Sequence, residues 1–180
     1  MRALDELGAP SMVIGGVAVI AHGVPRLTID IDAAVSGGSV SIDRLEEMLA
    51  GQGIVGRLPD AAEFARQHQV FLGVHSASGT PVDISLAWLP FEEVALCESR
   101  AVDYAGVLIR IPRPEDLVIY KIIASRAQDI EDARSLLLLH GRSMAFGRIR
   151  STVRGFAEVL EDEERPRVLE RLLREAGLEG

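Results

Sequence analysis

Residues 15–32 read GGVAVIAHGVPRLTIDID, and this stretch decides the fold. Apolar and polar residues alternate over Leu27–Val35, which predicts a strand. Because successive side chains of a strand point to opposite faces, Asp30 and Asp32 share one face with Thr28. Two carboxylates placed this way repel each other, and a divalent cation that prefers hard oxygen ligands, Mg²⁺ above all, removes the repulsion.

The glycine pair at the start of the stretch predicts an anion-binding turn. Gly15 and Gly16 lie where a short predicted strand, Ser11–Ile14, meets a predicted helix, Val17–His22. Glycine lets a ligand approach the backbone closely, and the first turn of a helix offers free N–H groups to a phosphate.

A third carboxylate lies on a later predicted strand, Pro81–Leu86. Its neighbours Val82 and Ile84 are expected to face the core, so Asp83 points the opposite way. If this strand lies beside that of Asp30 and Asp32, three carboxylates converge. Carboxylates for two metal ions beside a phosphate site are what phosphoryl or nucleotidyl transfer requires.

Composition excludes several other classes of protein. The 180 residues are 48% hydrophobic with a net charge of −8, which argues against a protein that coats nucleic acid through its overall field. Aromatic residues are 4%, too few for a base-stacking platform. Cys97 is the single cysteine, so a cytoplasmic protein without disulfides is expected. The longest apolar run, Met12–Ala21, is about half the ~20 residues of a membrane span.

The order of predicted elements indicates an α+β fold, with a mixed sheet flanked by helices and a helical C-terminal extension packed on it. Residues 1–112 form the predicted catalytic core and residues 113–180 the helical region. Trp88 is expected to pack in the core. The further predicted helices are Arg2–Leu7, Ser41–Ala50, Ala61–His68 and Phe91–Glu98, then 113–126, Ile130–Leu139, Ala145–Leu160 and Pro166–Ala176; the further strands are Val70–His75, Ala101–Tyr104 and Val107–Ile111.

These motifs resemble those of the DNA polymerase β-like nucleotidyltransferase superfamily: a glycine pair, a gap of about a dozen residues, Asp-x-Asp, and a third Asp on a later strand. Within it, the chain is most similar to small bacterial nucleotidyltransferases of the abortive-infection (AbiEii-like) toxin type. The resemblance rests on residues 15–32 and on DLVIYKIIASR at 116–126 followed by Asp129-Ile130-Glu131-Asp132. It spans about residues 11–139.

The resemblance implies a role for each matching position. Asp30, Asp32 and Asp83 would be catalytic and would bind two Mg²⁺ ions, or Mn²⁺ in their place. The nucleotide, an NTP such as ATP, would be bound by residues of the glycine turn, the stretch after it and a later helix: Gly15, Gly16, Arg26, Thr28 and Lys121. Asp83 would complete the site of the metal that activates the attacking hydroxyl and would serve as the base.

Lys121 also has an argument of its own. It is the sole lysine among 19 basic residues, and a compact flexible ammonium suits a phosphate where a planar guanidinium does not. A chance surface lysine is the alternative. Asp132 would share its helical face if the helix is unbroken, whereas Asp129 and Asp132 could instead pair with Arg126 or Arg134.

The acceptor is less well defined by the sequence. The toxin resemblance implies the 3′ end of tRNA, with a cognate antitoxin as a protein partner and no DNA. A segment free of acidic residues could follow an RNA backbone through Arg142, Arg148, Arg150 and Arg154, although pairing with the acidic residues that follow is equally consistent. The alternatives are transfer to an antibiotic of the aminoglycoside type, and a catalytically silent nucleotide-binding or antitoxin module.

Overall fold

A computed structural model describes residues 2–178 and divides the chain into two compact units. The first unit contains residues 1–21 and 26–112, and the second contains 22–25 and 113–180. The short segment His22–Pro25, which the sequence placed with the core, therefore belongs to the helical unit. No helix within residues 2–178 is long and apolar enough to cross a bilayer.

The first unit is built on a five-stranded mixed sheet in the order β1-β2-β5-β4-β3. Its strands are β1 (Ser11–Ile14), β2 (Ile31–Ser36), β3 (Ile54–Gly56), β4 (Val70–His75) and β5 (Pro81–Ala87). Strands β2 and β5 are parallel, and the other neighbouring pairs are antiparallel. A separate hairpin joins β6 (Arg100–Tyr104) to β7 (Val107–Ile111). The predicted α+β class with a mixed sheet is confirmed.

Helices of this unit are α1 (Arg2–Glu6), α2 (Gly15–Ala21), α3 (Ile42–Gly51), α4 (Ala61–His68) and α5 (Pro90–Cys97). Helix α3 begins where expected because Ser41 caps it, its side chain accepting a hydrogen bond from the backbone N–H of Arg44. Apolar residues of α1, α3 and α4 pack on one face of the sheet. Strands β2, β5 and β4 contribute to that core the residues Ala33, Val35, Val82, Ile84, Leu86 and Phe71. The opposite face carries Asp32 and Asp83.

Strand β2 is shorter than its alternating sequence predicts. It begins at Ile31, so Leu27, Ile29 and Asp30 lie before it. The reason is that β1 ends at Ile14, opposite Asp32, and the ladder with β5 begins at Ile31, so that neither ladder extends to residues 27–30. Leu27 and Ile29 are 92% and 83% exposed, which contradicts the predicted apolar face of the longer strand.

Two further expectations need correction, and one strand was not expected. Trp88 is 65% exposed and is not a core residue. Helix α2 begins at Gly15 rather than Val17, which places the glycine pair inside its first turn. The short strand β3 was not predicted, since three residues at a sheet edge carry little periodic signal.

The second unit is helical as predicted. It comprises α6 (Pro114–Ala124), α7 (Ala127–His140), α8 (Phe146–Leu160) and α9 (Glu164–Glu175). Pro114 begins α6 at its first position, where a missing N–H is harmless. Ser125, in the left-handed conformation with φ of 56°, ends α6, and α7 begins two residues later, so the two helices are distinct.

Candidate active site

The centre of the candidate site is a pair of aspartates on neighbouring strands. Asp32 of β2 and Asp83 of β5 are direct partners in the parallel ladder. Partners in a ladder project from the same face, and here that face is opposite the one that carries Ala33, Val82 and the apolar core. The condition that the sequence left open, that these two strands lie side by side, is met in the structure, and both carboxylates leave the core face.

Gly15 closes one side of this pair. Its φ is +62°, a conformation that costs any residue with a β-carbon about 1–2 kcal/mol. A β-carbon at this position would also overlap the carboxylate of Asp32. The turn thus needs glycine both for its backbone and for the close approach of Asp32.

Gly16 brings the segment before β2 against the same turn. A β-carbon at Gly16 would lie 2.5 Å from Oγ1 of Thr28 and 3.2 Å from the guanidinium carbon of Arg26. Oγ1 of Thr28 donates a hydrogen bond of 2.6 Å to Oδ1 of Asp30. Three predicted site residues, Arg26, Thr28 and Asp30, are therefore gathered beside the glycine pair, although they are not part of a strand.

Arg57 is a member of this cluster that the sequence did not identify. Its Nη2 donates to Oδ1 of Asp83 at 2.7 Å and to Oδ2 at 2.9 Å. Its backbone N–H donates to the carbonyl of Leu72 at 2.8 Å, which fixes the residue against β4 just beyond the end of β3. No sequence motif marks Arg57, because its position depends on the order β5-β4-β3 in the sheet.

The electrostatic environment of Asp83 is mixed. Partial burial raises the pKa of its carboxyl above the ordinary value of 3.8, and the nearby charge of Asp30 acts in the same direction. The Arg57 guanidinium opposes both effects, and the net shift of the pKa is upward.

The architecture was compared with known proteins. No protein-family model matches the sequence, and no curated protein matches it. Among solved structures, ANT(2″)-Ia in complex with adenylyl-2″-tobramycin matches with a TM-score of 0.57 at 19% identity, over 88% of this chain and 93% of that one. The solution structure of the antibiotic-resistance factor ANT(2″)-Ia gives a TM-score of 0.58 at 19% identity, over 89% and 88%. This chain has a nucleotidyltransferase fold.

A third structure extends the comparison to another source. An antigenic nucleotidyltransferase-like protein from Paracoccidioides brasiliensis matches with a TM-score of 0.51 at 16% identity, over 95% of this chain and 87% of that protein. At such low identities the likeness identifies the nucleotidyltransferase fold, and the reaction has to be argued from the site.

The side chains of Asp30, Asp32 and Asp83, with Thr28 beside them, offer only carboxylate and hydroxyl oxygens. These are the ligands that a hard divalent cation prefers. Within residues 2–178, however, no three His, Cys, Asp or Glu side chains are gathered closely enough to hold a metal ion as they stand. The carboxylate of Asp83 is bonded to Arg57, and that of Asp30 to Thr28. The pairing of Asp32 with Asp83 suits a metal site. Before the site can form, the carboxylates of Asp83 and Asp30 must rotate away from Arg57 and Thr28.

Lys121 lies in the second unit, on α6, where its side chain contacts two carboxylates of α7, and its nucleotide role stays a prediction. Its side chain is 8% exposed, and Nζ lies 2.9 Å from both Oδ1 of Asp129 and Oδ2 of Asp132. Asp129 also accepts a hydrogen bond from the backbone N–H of Arg126 at the start of α7. The lysine therefore joins two consecutive helices, so the alternative of a chance surface lysine is wrong.

The arginines of the second unit are largely engaged within it. Arg148 is paired with the buried Asp116, and Nε of Arg150 donates to Glu170 at 2.8 Å. The Arg150 hydrogen bond is the main reason that the pKa of Glu170 lies below its ordinary value. The intramolecular alternative thus holds for these two. Helices α8 and α9 also enclose a groove of about 240 Å³ whose lining includes Arg150, Arg154, Arg167, Arg174 and Glu170.

Proposed function

We propose that this protein is a metal-dependent nucleotidyltransferase, which moves a nucleoside monophosphate from an NTP to an acceptor hydroxyl and releases pyrophosphate. The observation that carries the proposal is the pairing of Asp32 with Asp83 on parallel strands, packed against a glycine that no other residue could replace without overlap. The nucleotidyltransferase fold of solved structures that match nearly nine tenths of the chain supports it.

Each residue of the cluster has a role in this reaction. Asp30, Asp32 and Asp83 would hold the Mg²⁺ ions, which neutralise phosphate charge when bound. The backbone at Gly15 and Gly16 would accommodate the triphosphate, with Arg26 and Thr28 lining the same side. As the family resemblance implies, Asp83 would complete the site of the metal that activates the acceptor hydroxyl and would take the proton of that hydroxyl.

The transfer itself balances without further reactants. The acceptor oxygen forms a bond to the α-phosphorus, the bond from the α-phosphorus to the bridging oxygen breaks, and pyrophosphate leaves with that oxygen. The proton of the acceptor hydroxyl passes to a carboxylate. Positioning and charge neutralisation are the main contributions a protein makes to such a step.

For the acceptor, we infer RNA, with the 3′ end of tRNA as the first candidate. The groove between α8 and α9 carries four arginines and one glutamate, a positive excess that suits a phosphodiester backbone in a protein of net charge −8. A toxin role, a cognate antitoxin and a cytoplasmic location follow from the family resemblance and remain predictions.

An antibiotic acceptor is the second candidate, because a structural relative was solved with adenylyl-2″-tobramycin. An aminoglycoside carries several positive charges, so it would be repelled by the arginine groove and would need the carboxylates of the first unit. The two candidates therefore rely on surfaces of opposite charge to bind the acceptor.

The test is transfer of label from each α-³²P-labelled NTP, with Mg²⁺, to total tRNA or to tobramycin. Label on tRNA supports the RNA acceptor, and label on tobramycin supports the second candidate. Nucleotide binding without transfer to either would favour the silent binding module. Asp32→Asn, which keeps the size of the side chain, should abolish transfer in every case.

The groove has its own matched control. Arg154→Gln and Arg167→Gln remove arginines that line it, whereas Arg171→Gln removes an arginine of α9 outside the groove lining. We expect the first two to weaken tRNA binding by about two- to tenfold each and to reduce its salt dependence, and the third to have little effect. Equal effects of all three would count against the groove.

A further inference from the structure

The ion pair of Arg57 with Asp83 has a geometry that bears on metal binding. One nitrogen, Nη2, donates to both carboxylate oxygens of Asp83, at 2.7 and 2.9 Å. A cation that binds either oxygen from that side therefore competes with the guanidinium. Arg57 is held in place by its backbone hydrogen bond to Leu72 and reaches Asp83 across the intervening strand β4.

The Arg57–Asp83 ion pair lies where a cation can replace the guanidinium at a small cost in free energy. The side chains of Arg57 and Asp83 are 33% and 28% exposed, so water can solvate the guanidinium as soon as it leaves the carboxylate. Partly exposed ion pairs contribute little to stability, whereas breaking a fully buried pair is strongly destabilising. The cluster otherwise contains like charges, since Asp32 and Asp83 are direct partners on neighbouring strands.

We propose that Arg57 is a built-in counter-ion of the third carboxylate, which a divalent cation must displace from Asp83 before the metal site is complete. Arg57 then sets the concentration of Mg²⁺ at which the site fills, and it stabilises the cluster while no metal is bound. The inference rests on the proposed function, because it takes Asp83 to be a metal ligand.

Binding of Mn²⁺ in the absence of nucleotide tests this proposal directly. The free Mn²⁺ ion is measured by electron paramagnetic resonance. We compare the wild type with Arg57→Gln, which keeps a polar side chain and removes the charge. The control is Arg66→Gln, which removes an arginine of the same unit from an exposed pair with Asp43. We expect Arg57→Gln to bind Mn²⁺ about three- to tenfold more tightly than the wild type, and Arg66→Gln to match the wild type within about twofold.

Tighter Mn²⁺ binding by Arg57→Gln distinguishes a counter-ion from a merely structural arginine, since loss of a structural residue would weaken Mn²⁺ binding. Binding to Arg57→Gln that is equal to or weaker than binding to the wild type overturns the inference while leaving the metal site in place. Absence of binding to the wild type and the variant alike overturns the proposed metal site, and the counter-ion role with it. Binding to Arg57→Gln alone supports the inference.

A measurement on the wild type covers the case in which Arg57→Gln does not fold. The Nε–H resonance of Arg57, assigned by its loss in Arg57→Lys, is followed by nuclear magnetic resonance during titration with Mg²⁺. We expect it to shift with the same midpoint as Mg²⁺ binding, because the guanidinium leaves Asp83. A resonance that does not move while Mg²⁺ binds overturns the proposal.

Discussion

Each unit contains a basic side chain paired with aspartate, Arg57 in the first cluster and Lys121 in the second, and the two clusters differ in exposure. In the first unit, Arg57 and Asp83 are 33% and 28% exposed. In the second, Lys121 and Asp132 are 8% and 2% exposed, and Asp129 adds a second carboxylate to the same ammonium. Burial makes the second cluster expensive to open, whereas the first can exchange its cation with solvent.

The comparison indicates that access of water, more than the kind of basic residue, determines how readily an ion pair opens. Nζ of Lys121 makes two contacts of 2.9 Å and connects α6 to α7, so its cluster stabilises one arrangement of two helices. Asp32 and Asp83 face out of the core beside a glycine turn, where a ligand can approach. We therefore assign stability to the lysine cluster and chemistry to the aspartate pair.

The largest expected effect is on the reaction. Asp32→Asn should lower transfer by at least about 10⁴-fold, equivalent to about 5 kcal/mol of transition-state stabilisation, because a metal-bound carboxylate is lost. Its free energy of unfolding should stay the same or rise, since the change relieves repulsion between neighbouring carboxylates. Transfer assays and urea unfolding measure the two effects.

Asp43→Asn serves as the control, because the side chain of Asp43 is 78% exposed and pairs with the exposed Arg66. It should change neither transfer nor stability measurably. A strongly destabilised but active Asp32→Asn would reverse the assignment of the two clusters.

The next effect is on stability alone. Lys121→Met leaves two carboxylates with little access to water, and we expect a loss of about 3–5 kcal/mol in the free energy of unfolding. Adding Asp129→Asn and Asp132→Asn should recover much of that loss, since the uncompensated charges are then gone. Chemical denaturation measures both variants.

Arg44→Gln, which breaks an exposed pair with Glu47, should cost less than about 1 kcal/mol in comparison. If Lys121→Met unfolded at the same denaturant concentration as the wild type, burial would not separate the clusters, and the predicted nucleotide role of Lys121 would gain support.

The sequence predicted the strands that carry the aspartates because the signals for a strand are local. Alternation marked Pro81–Leu86 and Val70–His75 as strands, and the glycine pair preceding Asp-x-Asp indicated the order of elements. That β2 begins at Ile31 could not be foreseen, since it depends on where β1 and β5 stop. The exposure of Leu27 and Ile29 follows from the same tertiary limit.

Residues whose role depends on distant contacts escaped prediction. Arg57 joins the site only because β3 and β4 lie on the far side of β5. Lys121 was singled out as unusual, but the choice among its possible partners depends on the break at Ser125, which separates α6 from α7. Trp88 was placed in the core on its size, whereas the turn after β5 leaves it exposed.

A smaller effect concerns the glycine beside Asp32. Gly15→Ala combines a positive φ with overlap on the Asp32 carboxylate, and we expect a loss of about 1–3 kcal/mol in stability together with weaker Mn²⁺ binding. Gly8→Ala is the matched control, since Gly8 has a φ of +67° with no atom near a β-carbon.

The control variant isolates the backbone strain, so the difference between the two alanines measures the overlap with the aspartate. Equal losses of stability, and unchanged Mn²⁺ binding in Gly15→Ala, would show that the turn does not support the carboxylate.

The smallest expected effect is at an exposed pair of the second unit. Hydrogen bonding from Arg150 lowers the pKa of Glu170 below 4.5, so the stabilisation is present above that pH and is lost as the pH falls through the folded-state pKa. Glu170→Gln should therefore reduce stability at pH 7 by less than about 1 kcal/mol, with the difference vanishing in acid and shrinking at high salt.

Thermal unfolding of Glu170→Gln and the wild type across this pH range gives the measurement. A difference as large as that of Lys121→Met would show that exposure does not determine how much an ion pair contributes in this unit.

The parallel ladder between β2 and β5 has one further consequence. Asp32 and Asp83 meet only because these strands, distant in the chain, pair in one register. A slip by one residue would set Asp83 beside Ala33 and turn it toward the apolar side of the sheet. Catalytic competence therefore reports on correct strand alignment: a chain that collapsed with misaligned strands would be inactive even if it were as compact as the native protein.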